Sequence, residues 1–195
     1  MAAIVLAAGR SARMGGTNKL LAQFKGVSMI THVIRNLCDS SVEPIIVVTG
    51  HERQQILQAL AGETFSSVHN PDYATGLSSS LRHGLAALPR DLDAFLIALG
   101  DMPRVDATHI TRLIRAFDPA KGREICLPVF RGQRGNPVLW AKRFVPEMMR
   151  ISGDAGARAL LETHASVVYP VQMDDTGVLV DVDTPEDLAA LHRSS

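Results

Sequence analysis

Apolar runs of strand length alternate along this chain with apolar stripes of helical period, a pattern that predicts repeated βαβ units around a mainly parallel sheet. The predicted strands are Ala3 to Ala8, Pro44 to Thr49, Ser67 to Asn70, Ala94 to Leu99, Ile125 to Phe130, Val167 to Met173 and Val178 to Val182. Between them, Met29/Ile30/Val33/Ile34/Leu37, Ile56/Leu57/Leu60, Leu77/Leu81/Leu85/Leu88 and Ile110/Leu113/Ile114/Phe117 each mark the buried face of one helix. The alternation breaks at Arg131 to Pro137, which reads as a hairpin and is followed by Val138-Leu139-Trp140 and two short helices up to His164. The expected fold is a doubly wound, mainly parallel α/β sheet with an inserted hairpin and helical element on its substrate side. Ligands of such sheets bind outside the carboxyl ends of the strands, where Gly9, Gly50, Asn70, Gly100-Asp101 and Asp183 fall.

At 195 residues and 46% hydrophobic content, with no Pro/Gly/Ser-rich linker, the chain reads as a single domain over residues 1–195. The opening Ala2 to Ala8 has no basic segment before it and ends in Gly-Arg, which suits a buried strand rather than a signal peptide. No run approaches the roughly 18 apolar residues of a membrane span. Cys38 and Cys126 lie far apart without metal-like spacing and read as buried, reduced thiols, so the expected location is the cytoplasm.

The net charge of zero hides two blocks of opposite sign. Met1 to Cys38 carries Arg10, Arg13, Lys19, Lys25 and Arg35 and no acid, whereas Glu162, Asp174, Asp175, Asp181, Asp183, Glu186 and Asp187 run without a Lys or Arg between Arg158 and Arg193. Bases that hold phosphates and carboxylates that hold a metal would give this division. Near-neutral charge and few aromatics argue against nucleic acid as the main partner.

The basic block contains a glycine-rich loop directly after the first strand, Leu6-Ala7-Ala8-Gly9-Arg10-Ser11-Ala12-Arg13-Met14-Gly15-Gly16-Thr17-Asn18-Lys19. Glycines let backbone N–H groups turn toward an anion, and the bases add charge at the same place, so the loop reads as a triphosphate cradle. It is not a Walker A loop, because Lys19 is followed by Leu20 and not by a magnesium-binding Ser or Thr. It is not a dinucleotide fingerprint either, since G-x-G-x-x-G is absent and the second strand ends in Thr49-Gly50-His51 without an acid for the ribose. Asp101 closes the most apolar strand and is the candidate metal carboxylate; Asp106 is the better-placed helix cap. Alternation would put Asp181 and Asp183 on one strand face, toward the same cation, while Asp183 could also start the helix after it. Magnesium needs only one or two protein carboxylates besides phosphate oxygens and water.

Taken in order, LAAGRSARMGGTNKLL, VTGH, NPDYATGLSSSLRHGL, ALGDMP, GNPVLW, GDAGAR and DVDTPEDLAAL resemble the MobA-like nucleotidyltransferases, in particular their molybdenum cofactor cytidylyltransferase branch. The resemblance spans nearly the whole chain and implies a Rossmann-like nucleotidyltransferase fold. It further implies transfer of CMP from CTP to the phosphate of molybdopterin, with release of pyrophosphate. Under that reading Arg13, Lys19 and Asp101 are catalytic. Leu6, Ala7, Ala8, Gly9, Gly15, Gly16, Gly76, Ser78, Ser80 and Gly100 bind the nucleotide. Gly135, Asn136, Pro137, Asp154 and Arg158 face the pterin, and Mg²⁺ sits on Asp101 and Asp183. Guanine-using relatives carry a second glycine where this chain has Ala8, so the Ala8 methyl favours a pyrimidine. The Leu77/Leu81 stripe is expected to be buried, leaving the serine hydroxyls near the base. A molybdoenzyme or its chaperone would receive the product; no membrane partner is implied. Rival readings are a guanylyltransferase or sugar- or alcohol-phosphate nucleotidyltransferase of this fold, and a non-catalytic nucleotide- or cofactor-binding module.

Overall fold

A computed structural model describes residues 1–153 and 157–193. Its strands are β1 (Ala2–Ala7), β2 (Gln23–Phe24), β3 (Val27–Ser28), β4 (Ile45–Thr49), β5 (Ser66–His69), β6 (Ala94–Leu99), β7 (Ile125–Phe130), β8 (Gln133–Arg134), β9 (Val138–Ala141) and β10 (Val168–Gln172). Its helices are α1 (Met29–Asp39), α2 (Arg53–Ala59), α3 (Leu77–Ala86), α4 (Ala107–Ala116), α5 (Val145–Met148), α6 (Arg158–Thr163) and α7 (Pro185–Arg193). The main sheet runs β10-β7-β9-β6-β1-β4-β5, with β8 paired on β7 and β2-β3 forming a separate ribbon. Every pairing along the path is parallel except those of β9, which lies antiparallel between β6 and β7.

Period two along the strands and the helical stripes divide the core between the two faces of this sheet. Ala3, Val5 and Ala7 of β1 pack with α1, α2 and α4 through Ile34, Ile56 and Leu113, whereas Ala2 and Ile4 face α3 through Leu81 and Leu85. α7 anchors the end of the described chain: Leu191 packs with Phe24 of β2, Met29 and Val182. Cys126 is buried in β7, where burial pushes its thiol up to about 11. Cys38, expected to be buried, is only partly so. Among the described residues no helix is long and apolar enough to cross a membrane.

The expected hairpin forms as β7 and β8, but the strand after it enters the main sheet antiparallel. Val178 to Val182 is not a strand. Gly177–Leu179 forms a 3₁₀ turn, and the chain then runs without ladder partners to α7. Burial explains why the alternation misled: Val178 is buried in the main core, and Val182 is buried with Phe24, Met29 and Leu191 of α7.

Candidate active site

Strand order reverses beside β1, since β4 and β5 lie on one side of it and β6 and all later strands of the sheet on the other. Loops leaving such a switch point diverge and open a crevice. A cleft of about 400 Å³ lies there, walled by Ala8 to Arg13 and Lys19 after β1, by Asp101 after β6 and by Asp183.

Two carboxylates and two cations meet in this cleft. Lys19 Nζ donates to Asp101 Oδ2 at 2.5 Å and to Asp183 Oδ1 at 2.7 Å, and Arg13 Nη2 lies 2.8 Å from Asp183 Oδ2. Burial works to lower the Lys19 ammonium, but the carboxylates outweigh it and the net direction is upward. Asp101 moves up, chiefly through burial and a little through Asp181, against the downward pull of Lys19. Burial would also raise Asp183, yet Lys19 and Arg13 hold it below the ordinary carboxylate range.

Local hydrogen bonds explain how residues so distant in sequence converge. Ser11 takes a left-handed backbone (φ 50°) and its Oγ accepts the Lys19 N–H. The Asn18 side chain accepts the Leu20 N–H and so starts the 3₁₀ turn that carries Lys19. Leu20 on that turn is buried in the main core, which fixes Lys19 above it. On the other side the Val182 N–H donates to the Asp101 carbonyl at 3.2 Å, bringing the acidic segment alongside. Thr184 and Asp187 cap α7 reciprocally: Thr184 Oγ1 accepts the Asp187 N–H, and the Asp187 carboxylate takes the N–H groups of Asp183 and Thr184. The Asp183 carboxylate is therefore not consumed as a cap. Asp101 is spared in the same way, because Asp106 caps α4 through the N–H groups of Thr108 and His109. Asp181, paired with Asp183 by strand alternation, instead lies exposed and outside the cleft lining.

The wall opposite the carboxylates is formed by Tyr73, Gly76, Leu77 and Ser80. Tyr73 escaped the sequence reading, although the motif containing it was part of the resemblance. Ala8 is 4% exposed and packs on Gly50, where an added Cβ would lie 2.8 Å from the Ala8 methyl and 2.6 Å from Tyr73. Leu77 is 41% exposed, contrary to the expected stripe, while Ser78, Ser79 and Ser80 are buried. Asn70 accounts for part of that reversal, since its Nδ2 donates to Ser79 Oγ at 2.7 Å and to Ser80 Oγ at 2.9 Å. Of the remaining nucleotide candidates, Leu6 lines the cleft and Ala7 lies beneath it in the core. Gly100 continues β6 by donating to the Leu6 carbonyl, and Gly15 and Gly16 sit on the exposed outer part of the loop.

A second cleft of about 510 Å³ shares Leu6, Leu77 and Leu99 with the first and is otherwise lined by Asn136, Trp140, Arg158, Glu162 and apolar neighbours. Gly135 lies so close to the 3₁₀ turn that a Cβ would come within 2.3 Å of the Val178 carbonyl oxygen, and Asn136 N–H donates to that same oxygen. Pro137 turns away to the core beside Val33 and Ala98. Asp154 lies outside the described residues.

Residues 3–167 match the family model of the MobA-like NTP transferase domain. The chain belongs to this family. Among relatives, it is 28% identical over 187 residues to a molybdenum cofactor cytidylyltransferase of Escherichia coli (strain K12), covering 94% of this chain and 91% of that one. It is 26% identical over 193 residues to a nicotine blue oxidoreductase of Paenarthrobacter nicotinovorans, covering 96% and 94%. A solved structure of Rv0371C from Mycobacterium tuberculosis H37Rv, a complex with manganese, superposes with a TM-score of 0.82 at 26% identity over 100% of this chain and 98% of that one. The doubly wound sheet is thus the Rossmann-like fold of the MobA-like transferases.

The donor set of this family member fits a hard divalent cation. Asp101 Oδ1 is buried without a hydrogen-bond partner, and the other oxygen of the same carboxylate shares Lys19 with Asp183. Among the described residues no group of three or more His, Cys, Asp or Glu forms a protein cage. Two carboxylates completed by phosphate oxygens and water is the coordination Mg²⁺ favours.

Proposed function

We propose that the whole chain acts in the cytoplasm as one molybdenum cofactor cytidylyltransferase domain, moving CMP from CTP to the terminal phosphate of molybdopterin. The observation that carries this reading is the meeting of Asp101 and Asp183 with Lys19 and Arg13 at the carboxyl ends of β1 and β6. In the reaction, an oxygen of the acceptor phosphate attacks the α-phosphorus, the bond to the bridging oxygen breaks, and pyrophosphate leaves with that electron pair. Such a transfer needs alignment and neutralisation of growing negative charge more than acid–base chemistry. The backbone from Gly9 to Arg13 and the side chains of Arg13 and Lys19 would orient the triphosphate, drawing the leaving group's charge toward themselves. Mg²⁺ held by Asp101 and Asp183 would supply positive charge at the α-phosphate. Asn136 and Arg158 line the adjoining cleft, where the acceptor would lie with its phosphate near the shared Leu6/Leu77/Leu99 edge.

Mass analysis of the product tests the assignment. The protein is incubated with Mg²⁺, molybdenum-loaded molybdopterin and each nucleoside triphosphate in turn. A CMP adduct and pyrophosphate, formed only with CTP, are expected. A GMP adduct would move the chain to the guanylyl reading, and no adduct with any nucleotide would remove the transferase reading.

The choice of CTP rests on Ala8. Ala8 lines the cleft together with Tyr73, and its methyl packs against Gly50 behind it, on a wall where a purine would need more room than a pyrimidine. Ala8→Gly is therefore expected to raise the GTP to CTP ratio of kcat/KM by about tenfold, the lower end for one small group in a pocket. An unchanged ratio would place base selection elsewhere, with Ser80 the nearest alternative.

A further inference from the structure

Charge balance within the cleft decides how a divalent cation can enter it. Each carboxylate already has a cation at hydrogen-bond distance: Lys19 at 2.5 Å from Asp101 and 2.7 Å from Asp183, and Arg13 at 2.8 Å from Asp183. The Lys19 and Asp101 side chains are only 15% and 14% exposed, so water screens this attraction less than it would a surface pair. A divalent ion arriving alone must displace the ammonium from between the carboxylates. It would leave Lys19 and Arg13 facing a doubly charged neighbour with no anion of their own. A triphosphate arriving with the ion gives both side chains a new partner.

We propose, building on the nucleotidyl-transfer reading above, that Lys19 and Arg13 are internal counter-ions of Asp101 and Asp183, and that divalent ion and triphosphate enter by exchange. Asp101 and Asp183 would pass from Lys19 and Arg13 to the divalent ion as those two side chains pass to the phosphates. Arg10 lines the same cleft, has no ion-pair partner among the described residues, and is left over to attract the polyanion before the exchange. The two affinities are then reciprocal: each ligand strengthens the other by the same factor. Lys19 has two successive duties, first neutralising the carboxylates and then neutralising the phosphates.

Mn²⁺ binding, followed by the paramagnetic resonance signal of the free ion, tests the exchange without any turnover. Titrations are run on the protein alone and with α,β-methylene analogues of CTP and GTP, corrected for Mn²⁺ held by the free analogue. The wild type is expected to bind Mn²⁺ weakly alone and about 5–150-fold more tightly with the preferred analogue, the usual span of coupled sites. Lys19→Met should bind Mn²⁺ alone about fivefold or more tighter than the wild type, with reduced coupling. Arg13→Gln should shift the same way by less; its side chain is 67% exposed, so this variant stays informative even where Lys19→Met folds poorly. Equal Mn²⁺ affinity with and without both analogues overturns the exchange, as does the absence of any gain in both variants. Coupling without CMP transfer would uphold the exchange and remove the assigned reaction, whereas CMP transfer without coupling would do the reverse.

Discussion

Asp101→Asn is expected to fold as the parent does and to lose turnover by on the order of 10²–10³-fold, the scale of removing one fixed electrostatic contact to a transition state. The amide keeps the volume of a side chain that lines the cleft beside Lys19 and is mostly buried, so packing is preserved. What disappears is the negative charge of a group that is largely buried and has one oxygen without a hydrogen-bond partner. Burial raises this carboxyl, so a charge there works against its own desolvation cost, and Lys19 is the main group that opposes that cost. A group held at such expense at a strand's carboxyl end is better explained by a ligand than by the fold. Circular dichroism and kcat at saturating Mg²⁺ and nucleotide check this together. Near-normal kcat in a folded Asp101→Asn protein would end the metal-ligand role.

The same residues show which parts of the site can be read from sequence. Asp101 was legible because an apolar strand ending in Gly-Asp must deliver its carboxylate to the sheet edge, where ligands bind. Lys19 and Arg13 were legible as charge beside glycines, although the prediction aimed them at phosphates and the structure shows them on carboxylates. Asp183 was found for a partly wrong reason. Val180 to Asp183 alternates like a strand, yet buried valines beneath a helix produce the same pattern without any ladder, and period two cannot separate the cases. Position separates Asp183 from Asp181, because Asp181 lies exposed outside the cleft, whereas Thr184 and Asp187 cap α7 between themselves and leave the Asp183 carboxylate to the cleft, where it pairs with Lys19 and Arg13. Leu77 failed through tertiary context: buried Asn70 bonds two of the serines that follow it, and the leucine is left to line the clefts. The antiparallel entry of β9 was invisible because its apolar run, buried on both faces, carries no mark of direction.

Lys19→Ala is expected to lower kcat more than it raises KM for the nucleotide, and to destabilise the fold in a pH-dependent way. The kinetic split follows because a cation at the leaving phosphates gains most as negative charge collects there. The stability loss follows from Asp101, which keeps its burial and loses both its ion pair and its hydrogen bond; breaking a buried pair from one side costs about 3 kcal/mol at neutral pH. Removing Lys19 also removes the main influence holding the Asp101 carboxyl down, so its folded value rises further. A carboxyl raised on folding contributes stability that is complete below the ordinary value of 3.8 and is lost as pH rises through the raised value. Acidification from pH 7 toward 5 should therefore protonate Asp101 in the variant and narrow its stability gap to the wild type. Asp183 also loses its Lys19 partner in the variant, but Arg13 stays beside it and continues to hold its carboxyl down, so the larger change on acidification is expected from the more buried Asp101. Denaturant midpoints of both proteins across this pH range measure the gap. A gap that stays constant or widens on acidification would show that Asp101 is not the buried charge that Lys19 neutralises.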